Sequence, residues 1–318
     1  MRIEKASVSI LEQEPGIIGM YRFIERAGRI AYKTEDKITD DSWQRFLKML
    51  KERGHWAVFN QGTVYLRFNP AKEMEAWKKL KETKPWTKWT KDADWVNVTT
   101  NFRVILQLNL EPFMEKYWTE PDSSFYRRIG SYWICSRATS HQLVRHRLYS
   151  FLMASQRYCN YSKDKFGGEL TFILPQWVYR VREDIGLTVD PVTYEQRNWI
   201  LKRDGEILWK ELTLWDRTIA GRDRMWEEIE KEYMAEMHAG DGEVLKPEEA
   251  RGILPNDIKT ELIMTGYVED WFYEPPKDSP EKAGFFFLRC APDAQADIRV
   301  LSEDLKEQMI SRGIESWK

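Results

Sequence analysis

Residues 136–158 read SRATSHQLVRHRLYSFLMASQRY, and within them Gln142-Leu143-Val144-Arg145-His146-Arg147 is the densest polar cluster in an otherwise apolar neighbourhood. Ser155-Gln156-Arg157-Tyr158 follows eight residues after Arg147. The grouping suits an anion, because a guanidinium is a planar fork matched to phosphate and a Ser-X-Arg turn adds a hydroxyl and backbone N–H donors. On a helix Gln142 and Arg145 share one face, and Arg147 lies about 200° around from Arg145. The two guanidinium groups would then serve different ligands or different subunits. An exposed helix whose arginines pair with acidic neighbours is the better reading of Arg-His-Arg by itself, and His146 alone reads as a structural histidine. The combination with Ser155 and Arg157 is what points to an anion. Nothing in the spacing marks Ser155 as a nucleophile.

The surroundings of this stretch are those of a globular protein. The chain has 318 residues, 42% hydrophobic and 14% aromatic, enough to bury a large core. Its 49 Lys and Arg against 51 Asp and Glu leave a formal charge of -2, which gives no support for bulk binding to nucleic acid or an anionic membrane, so any anion site must be local. The charged start MRIEKASVSI lacks the apolar run of a signal peptide, and no stretch approaches the ~20 apolar residues of a membrane span. A cytoplasmic protein is expected. Cys135, Cys159 and Cys290 are far apart, without the spacing of a zinc site or a disulfide framework, and read as free thiols with no metal site.

Outward from the motif, RIEKASVSI alternates as a strand and is followed by a helix around Tyr21 to Tyr32. Asp40-Asp41-Ser42 starts a second helix, with Trp43, Phe46, Leu47 and Leu50 on one stripe and Gly54 as its stop. GTVYLRF, Gly62 to Phe68, reads as a strand. From Pro70 to Trp95 the chain is rich in Lys, Trp and Thr with little periodicity, and an inserted excursion over 70–133 is expected in place of a core element. Thr99 to Leu108 suggests a helix, and 178–246 a charged, Trp-laced helical elaboration. The expected fold class is α+β: one domain over 1–318 with an antiparallel sheet flanked by helices, plus helical insertions.

Arg145-His146-Arg147, seven residues, then Ser155 resembles the signature of the flavin-dependent thymidylate synthases. The resemblance extends to Gly54-His55-Trp56-Ala57-Val58-Phe59, to Ala250-Arg251-Gly252-Ile253-Leu254-Pro255, to Phe287-Leu288-Arg289 and to Ala294-Gln295. Membership would imply a deoxyuridylate pocket built from Gln142, Arg145, Ser155, Gln156, Arg157 and Arg251, with Arg289 stabilising the anionic pyrimidine as the catalytic residue. It would imply FAD contacts from Arg145, His146 and Arg147, with His55 and Ala57 reaching a flavin from a neighbouring subunit. NADPH and methylenetetrahydrofolate would be co-substrates, the assembly a homotetramer with shared active sites, and partners small molecules, with no nucleic acid and no membrane. No cysteine nucleophile is needed.

The sequence also departs from the family pattern. Leu152-Met153-Ala154 is apolar where members often carry a glutamate, and Asn60-Gln61 stands where Glu-His is common. Tyr267-Val268-Glu269 replaces an Asn-Ala-Arg stretch, and an insertion follows over 274–284. Two alternatives therefore stay open: a relative that methylates or hydroxymethylates another pyrimidine nucleotide, and a non-catalytic nucleotide-binding homologue.

Overall fold

The computed structural model describes residues 1–163, 167–176, 202–203, 206–207, 214–238, 245–276 and 283–314. Strands β1 (Arg2–Glu4) and β2 (Ser7–Leu11) lead into helix α1 (Gly16–Tyr32) and helix α2 (Ser42–Glu52). Next come strand β3 (Thr63–Phe68), helix α3 (Met74–Lys81), the hairpin β4 (Lys88–Asp92) and β5 (Trp95–Asn101), and helices α4 (Phe102–Gln107) and α5 (Glu111–Tyr117). The motif region comprises strand β6 (Arg128–Ser136), helix α6 (Arg137–Leu143) and strand β7 (Ser150–Met153). Beyond it lie β8 (Thr171–Ile173), the short pair β9 (Lys202–Arg203) and β10 (Glu206–Ile207), helix α7 (Leu214–Met237), β11 (Lys259–Tyr267) and helix α8 (Ala296–Ser311).

An antiparallel sheet of four strands, ordered β2-β6-β11-β7, is the platform. Its central strand β11 is buried almost throughout because both faces are covered. On one face Ile263 meets Leu11 and the α1 residues Phe23, Ala27 and Ile30. On the other, Leu262 and Met264 join Trp133 and the α8 residues Leu301 and Leu305. The α+β architecture with helices flanking an antiparallel sheet is as expected.

A second sheet, β3-β5-β4, packs against α2 and α3. The predicted α2 stripe holds: Phe46, Leu47 and Leu50 are buried, each contributing about 1.5–3 kcal/mol relative to exposure. Helices α1 and α2 approach closely at Gly28, where a Cβ would stand 2.6 Å from the Phe46 ring, so no larger residue fits.

The expectation for 70–133 needs correction. Trp77, Leu80, Val96, Val98, Phe102, Ile105 and Met114 share one buried core with α2 and β3, and β6 begins within the same stretch. The segment is part of the core. Periodicity misses it because β5 buries polar residues that are satisfied internally. Arg67 donates to Asn97 at 2.6 Å, the Thr99 hydroxyl donates to the Tyr126 carbonyl at 2.6 Å, and the Thr100 hydroxyl donates to the Trp86 carbonyl at 3.2 Å. The helix expected from Thr99 begins at Phe102, capped by the Asn101 side chain, which accepts from the Val104 amide at 3.1 Å.

Much of 178–246 lies outside the described residues, but α7 is helical and buries Trp226 and Tyr233 against Leu170 and Phe172. Residues 277–282 of the later insertion are also outside them. No helix among the described residues is long and apolar enough to cross a membrane.

Candidate active site

The motif starts from a capped helix: Ser136 Oγ accepts from the Thr139 amide at 3.2 Å and opens α6. The helix ends at Leu143, so Arg145, His146 and Arg147 lie in a turn leading to β7, and the helical-face reading of 142–147 does not extend that far. The turn is closed by the His146 amide on the Leu143 carbonyl at 3.1 Å and the Tyr149 amide on the His146 carbonyl at 3.2 Å. It sends the three side chains different ways. Arg145 and Arg147 are exposed, and neither forms an ion pair among the described residues. His146 turns inward against Phe285, with ring centroids 4.8 Å apart.

Arg289, at the end of the helical turn Phe285–Arg289, donates from Nε to His146 Nε2 at 2.8 Å and from Nη2 to the Gln142 carbonyl at 3.5 Å. Burial, reinforced by the Arg289 charge, pushes His146 from the usual 6.5 down to about 4. The imidazole is therefore neutral and accepts at Nε2, which puts its proton on Nδ1. No carboxylate holds Arg289 among the described residues, so it is not a helix-end salt bridge. The Gln142 side chain donates to Gln295, tying the Ala294-Gln295 stretch to the same knot.

A second group lines a cleft of about 900 Å³. One wall carries His55, Trp56 and Ala57, and the opposite wall carries Met153, Ser155, Arg157 and Tyr158. Gly54, with φ +69°, makes the reversal after α2 that a larger residue would resist, and the His55 amide then returns to the Leu50 carbonyl at 2.9 Å. On the other side, the Ser155 carbonyl accepts from the Tyr158 and Cys159 amides at 3.0 and 3.1 Å, forming the turn that follows β7. Gln156 is half-buried in that turn. His55 and Ala57 thus meet Ser155 and Arg157 within one chain, whereas Gln142, Arg145, His146, Arg147 and Arg289 do not line the cleft.

Arg53 and Arg103 also line it, and sequence reasoning missed both. Arg53 directly precedes the Gly54-His55 match, a signal that could have been followed; Arg103 is one half-buried polar position in a short apolar helix and gives none. No Asp or Glu among the described residues lines the cleft, and none of its three arginines is in an ion pair among them. Clustered guanidinium groups without counter-charge repel one another, and a polyanion in the cleft would relieve that repulsion.

Tyr32, at the end of α1, is a further residue the sequence did not mark: its hydroxyl is hydrogen-bonded to His55 Nδ1. Arg251 donates to the Glu248 carbonyl of its own turn at 3.3 Å, and no described contact joins it to the motif. Cys135 and Cys159 are buried, and burial pushes the Cys135 thiol well up and the Cys290 thiol to about 11.

At the departure 267–270, the Tyr267 hydroxyl donates to the Trp86 and Thr99 carbonyls at 2.9 and 2.8 Å. Lys88 of β4 pairs with Glu269 and, at 3.0 Å, with Asp270, while lying 4.3 Å from the Tyr267 ring centroid. The stretch that differs from the family pattern is thus clasped by the segment first read as an excursion.

A family model described as "Thymidylate synthase complementing protein" matches residues 132–312, more than half of the chain. A flavin-dependent thymidylate synthase of Pyrococcus furiosus is 28% identical over 178 residues, 56% of this chain and 52% of that one. One from Thermococcus onnurineus is 31% identical over 165 residues, 52% and 46% of the two chains, and one from Clostridium tetani 24% over 175 residues, 55% and 54%. The chain spans about half the length of the curated relatives it matches. A crystal structure of the UMP/dUMP methylase PolB from Streptomyces cacaoi bound with 5-Br UMP overlaps at a TM-score of 0.40 and 14% identity, covering 98% of this chain and 92% of that one, too low an overlap to carry a conclusion. The family match runs through the Arg145–Ser155 motif, Arg251 and Arg289, and by it the chain belongs to the thymidylate synthase complementing protein family.

Proposed function

We propose that the protein methylates dUMP to dTMP, with FAD as cofactor, methylenetetrahydrofolate as carbon donor and NADPH as reductant. The observation that carries this reading is the cleft, lined by no Asp or Glu among the described residues, where His55, Ala57, Ser155 and Arg157 meet Arg53 and Arg103. Its volume of about 900 Å³ is within the usual range for a large cofactor, and its guanidinium groups and aromatic walls fit a diphosphate joined to flat rings. Bound flavin would supply the hydride that turns a transferred methylene into a methyl group. The chain's own contribution is orientation and charge. Ser155 and Arg157 would hold phosphate with Gln142, Arg145, Gln156 and Arg251, and His55, Ala57, Arg145, His146 and Arg147 would hold FAD. Arg289, whose described partners are all neutral, would keep a cation beside the pyrimidine as negative charge develops.

The separation of the Arg289 knot from the His55 cleft within one chain supports a homotetramer in which the knot of one copy completes the cleft of another. A cytoplasmic, small-molecule enzyme is the matching setting. The absorbance spectrum of the purified protein, with and without dUMP, tests cofactor and substrate together. A flavin spectrum perturbed by dUMP supports the reading, and a protein that neither carries nor takes up FAD contradicts it.

Met153 favours a second reading, the same chemistry on another pyrimidine nucleotide, because it puts an exposed apolar side chain in the cleft where members often carry acid nearby. Competition of UMP and dCMP against dUMP separates the two.

A further inference from the structure

His55 is placed by two rigid supports. Its backbone is fixed by the Gly54 turn and by the hydrogen bond its amide donates to the Leu50 carbonyl, and its ring by the Tyr32 hydroxyl on Nδ1. Tyr32 is half-buried as the last residue of α1 and lies edge-on to Phe46, with ring centroids 5.9 Å apart at 81°. The residue after it, Lys33, adopts φ 53° and its amide returns to the Ile30 carbonyl at 3.3 Å, so the α1 end is capped in place. Both Tyr32 and His55 line the cleft that carries Arg53, Arg103 and Arg157.

We propose that Tyr32 is a positioning residue: its hydroxyl donates to His55 Nδ1, which fixes the neutral imidazole as the Nε2–H tautomer and presents that donor to an anionic or carbonyl oxygen of the ligand in the cleft. The two ring nitrogens lie on opposite sides of the imidazole, so tying Nδ1 to the α1 wall turns Nε2 away from that wall. Burial holds the Tyr32 phenol above its ordinary range, so it remains an O–H donor through the physiological range. The Nε2–H tautomer also suits a cleft lined by three guanidinium groups, since it adds a hydrogen bond without adding like charge. The proposal deepens the reading of the cleft as the flavin site and rests on it for the ligand. The tautomer itself does not depend on that reading.

Two measurements on the purified full-length protein decide it. In protein labelled with ¹⁵N-histidine, the neutral His55 ring is expected to show its proton on Nε2, and in Tyr32→Phe that preference is lost. An Nδ1–H tautomer in the wild type, which needs no variant, or an unchanged preference in Tyr32→Phe, overturns the proposal. For binding, FAD titrations are expected to show about tenfold weaker affinity for Tyr32→Phe, the loss expected when one hydrogen bond is removed. In a His55→Ala background the same substitution should cost nothing further, because Tyr32 acts through His55. An additive loss would mark Tyr32 as merely structural and overturn its positioning role. Wild-type protein that does not bind FAD at all would sink the flavin reading and leave the tautomer result standing.

Discussion

Arg289 Nε donates to His146 Nε2 across 2.8 Å, linking the arginine near the C-terminus to the middle residue of the Arg145-His146-Arg147 motif. The contact joins residues 143 positions apart and gives each a defined state. His146 is a neutral acceptor, and Arg289 is a cation with neutral partners.

Replacing Arg289 by Lys tests that arrangement. An ammonium cannot span Nε2 of His146 and the Gln142 carbonyl as a planar fork does. Turnover of dUMP is expected to fall about a hundredfold, the scale of removing one donor from a site of developing charge. Flavin reduction by NADPH without nucleotide should be nearly unchanged. Equal dUMP conversion rates for variant and wild type would remove Arg289 from the chemistry.

The state of His146 has a signature in stability against pH. Its folded pKa of about 4 lies below the ordinary 6.5, so the unfolded chain takes up the proton first as pH falls. Its contribution is fully present above about pH 6.5 and is lost progressively toward pH 4, amounting to at most ~3 kcal/mol. Urea unfolding of wild type and His146→Gln across pH 7 to 4 should show the gap between them narrowing as pH falls. A gap independent of pH would mean that His146 is not held neutral.

Shared sites can be tested by mixing inactive subunits. His55→Ala and Arg289→Ala proteins, co-expressed, should recover part of the activity, because some sites would then receive a wild-type cleft and a wild-type knot. Failure to complement in a confirmed mixed oligomer would mean that both groups act within one chain.

The placement of 70–133 in the core predicts a large effect at Trp77, which is 5% exposed and meets Trp89 edge-on at 5.2 Å. Trp77→Ala is expected to destabilise the protein by about 3–5 kcal/mol in chemical denaturation. A loss near zero would restore the reading of this segment as an appendage.

The sequence was most legible where one property repeats. The stripe Phe46, Leu47 and Leu50 predicts α2, alternation predicts β2, and β-branched and aromatic residues predict β3. The motif stood out because its polar residues interrupt an apolar run. Three features were hidden for physical reasons. Asn97, Thr99 and Thr100 are polar yet buried, since their partners come from distant segments such as Arg67 and Tyr126. The end of α6 at Leu143 carries no Gly or Pro to announce it, so the helical face was carried too far. Arg103 and Tyr32 belong to the cleft only through tertiary packing, and no local spacing reports that.

The most direct measurement is product formation by the purified, FAD-loaded protein supplied with dUMP, methylenetetrahydrofolate and NADPH. Arg145→Ala and Arg147→Ala serve as controls, since both side chains are exposed and free of ion pairs among the described residues, and their loss should abolish activity with little change in Tm. The account predicts dTMP from the wild type, dependent on all three substrates, and none from either variant. FAD-loaded wild type that yields no dTMP, or variants that turn over at the wild-type rate, would contradict it.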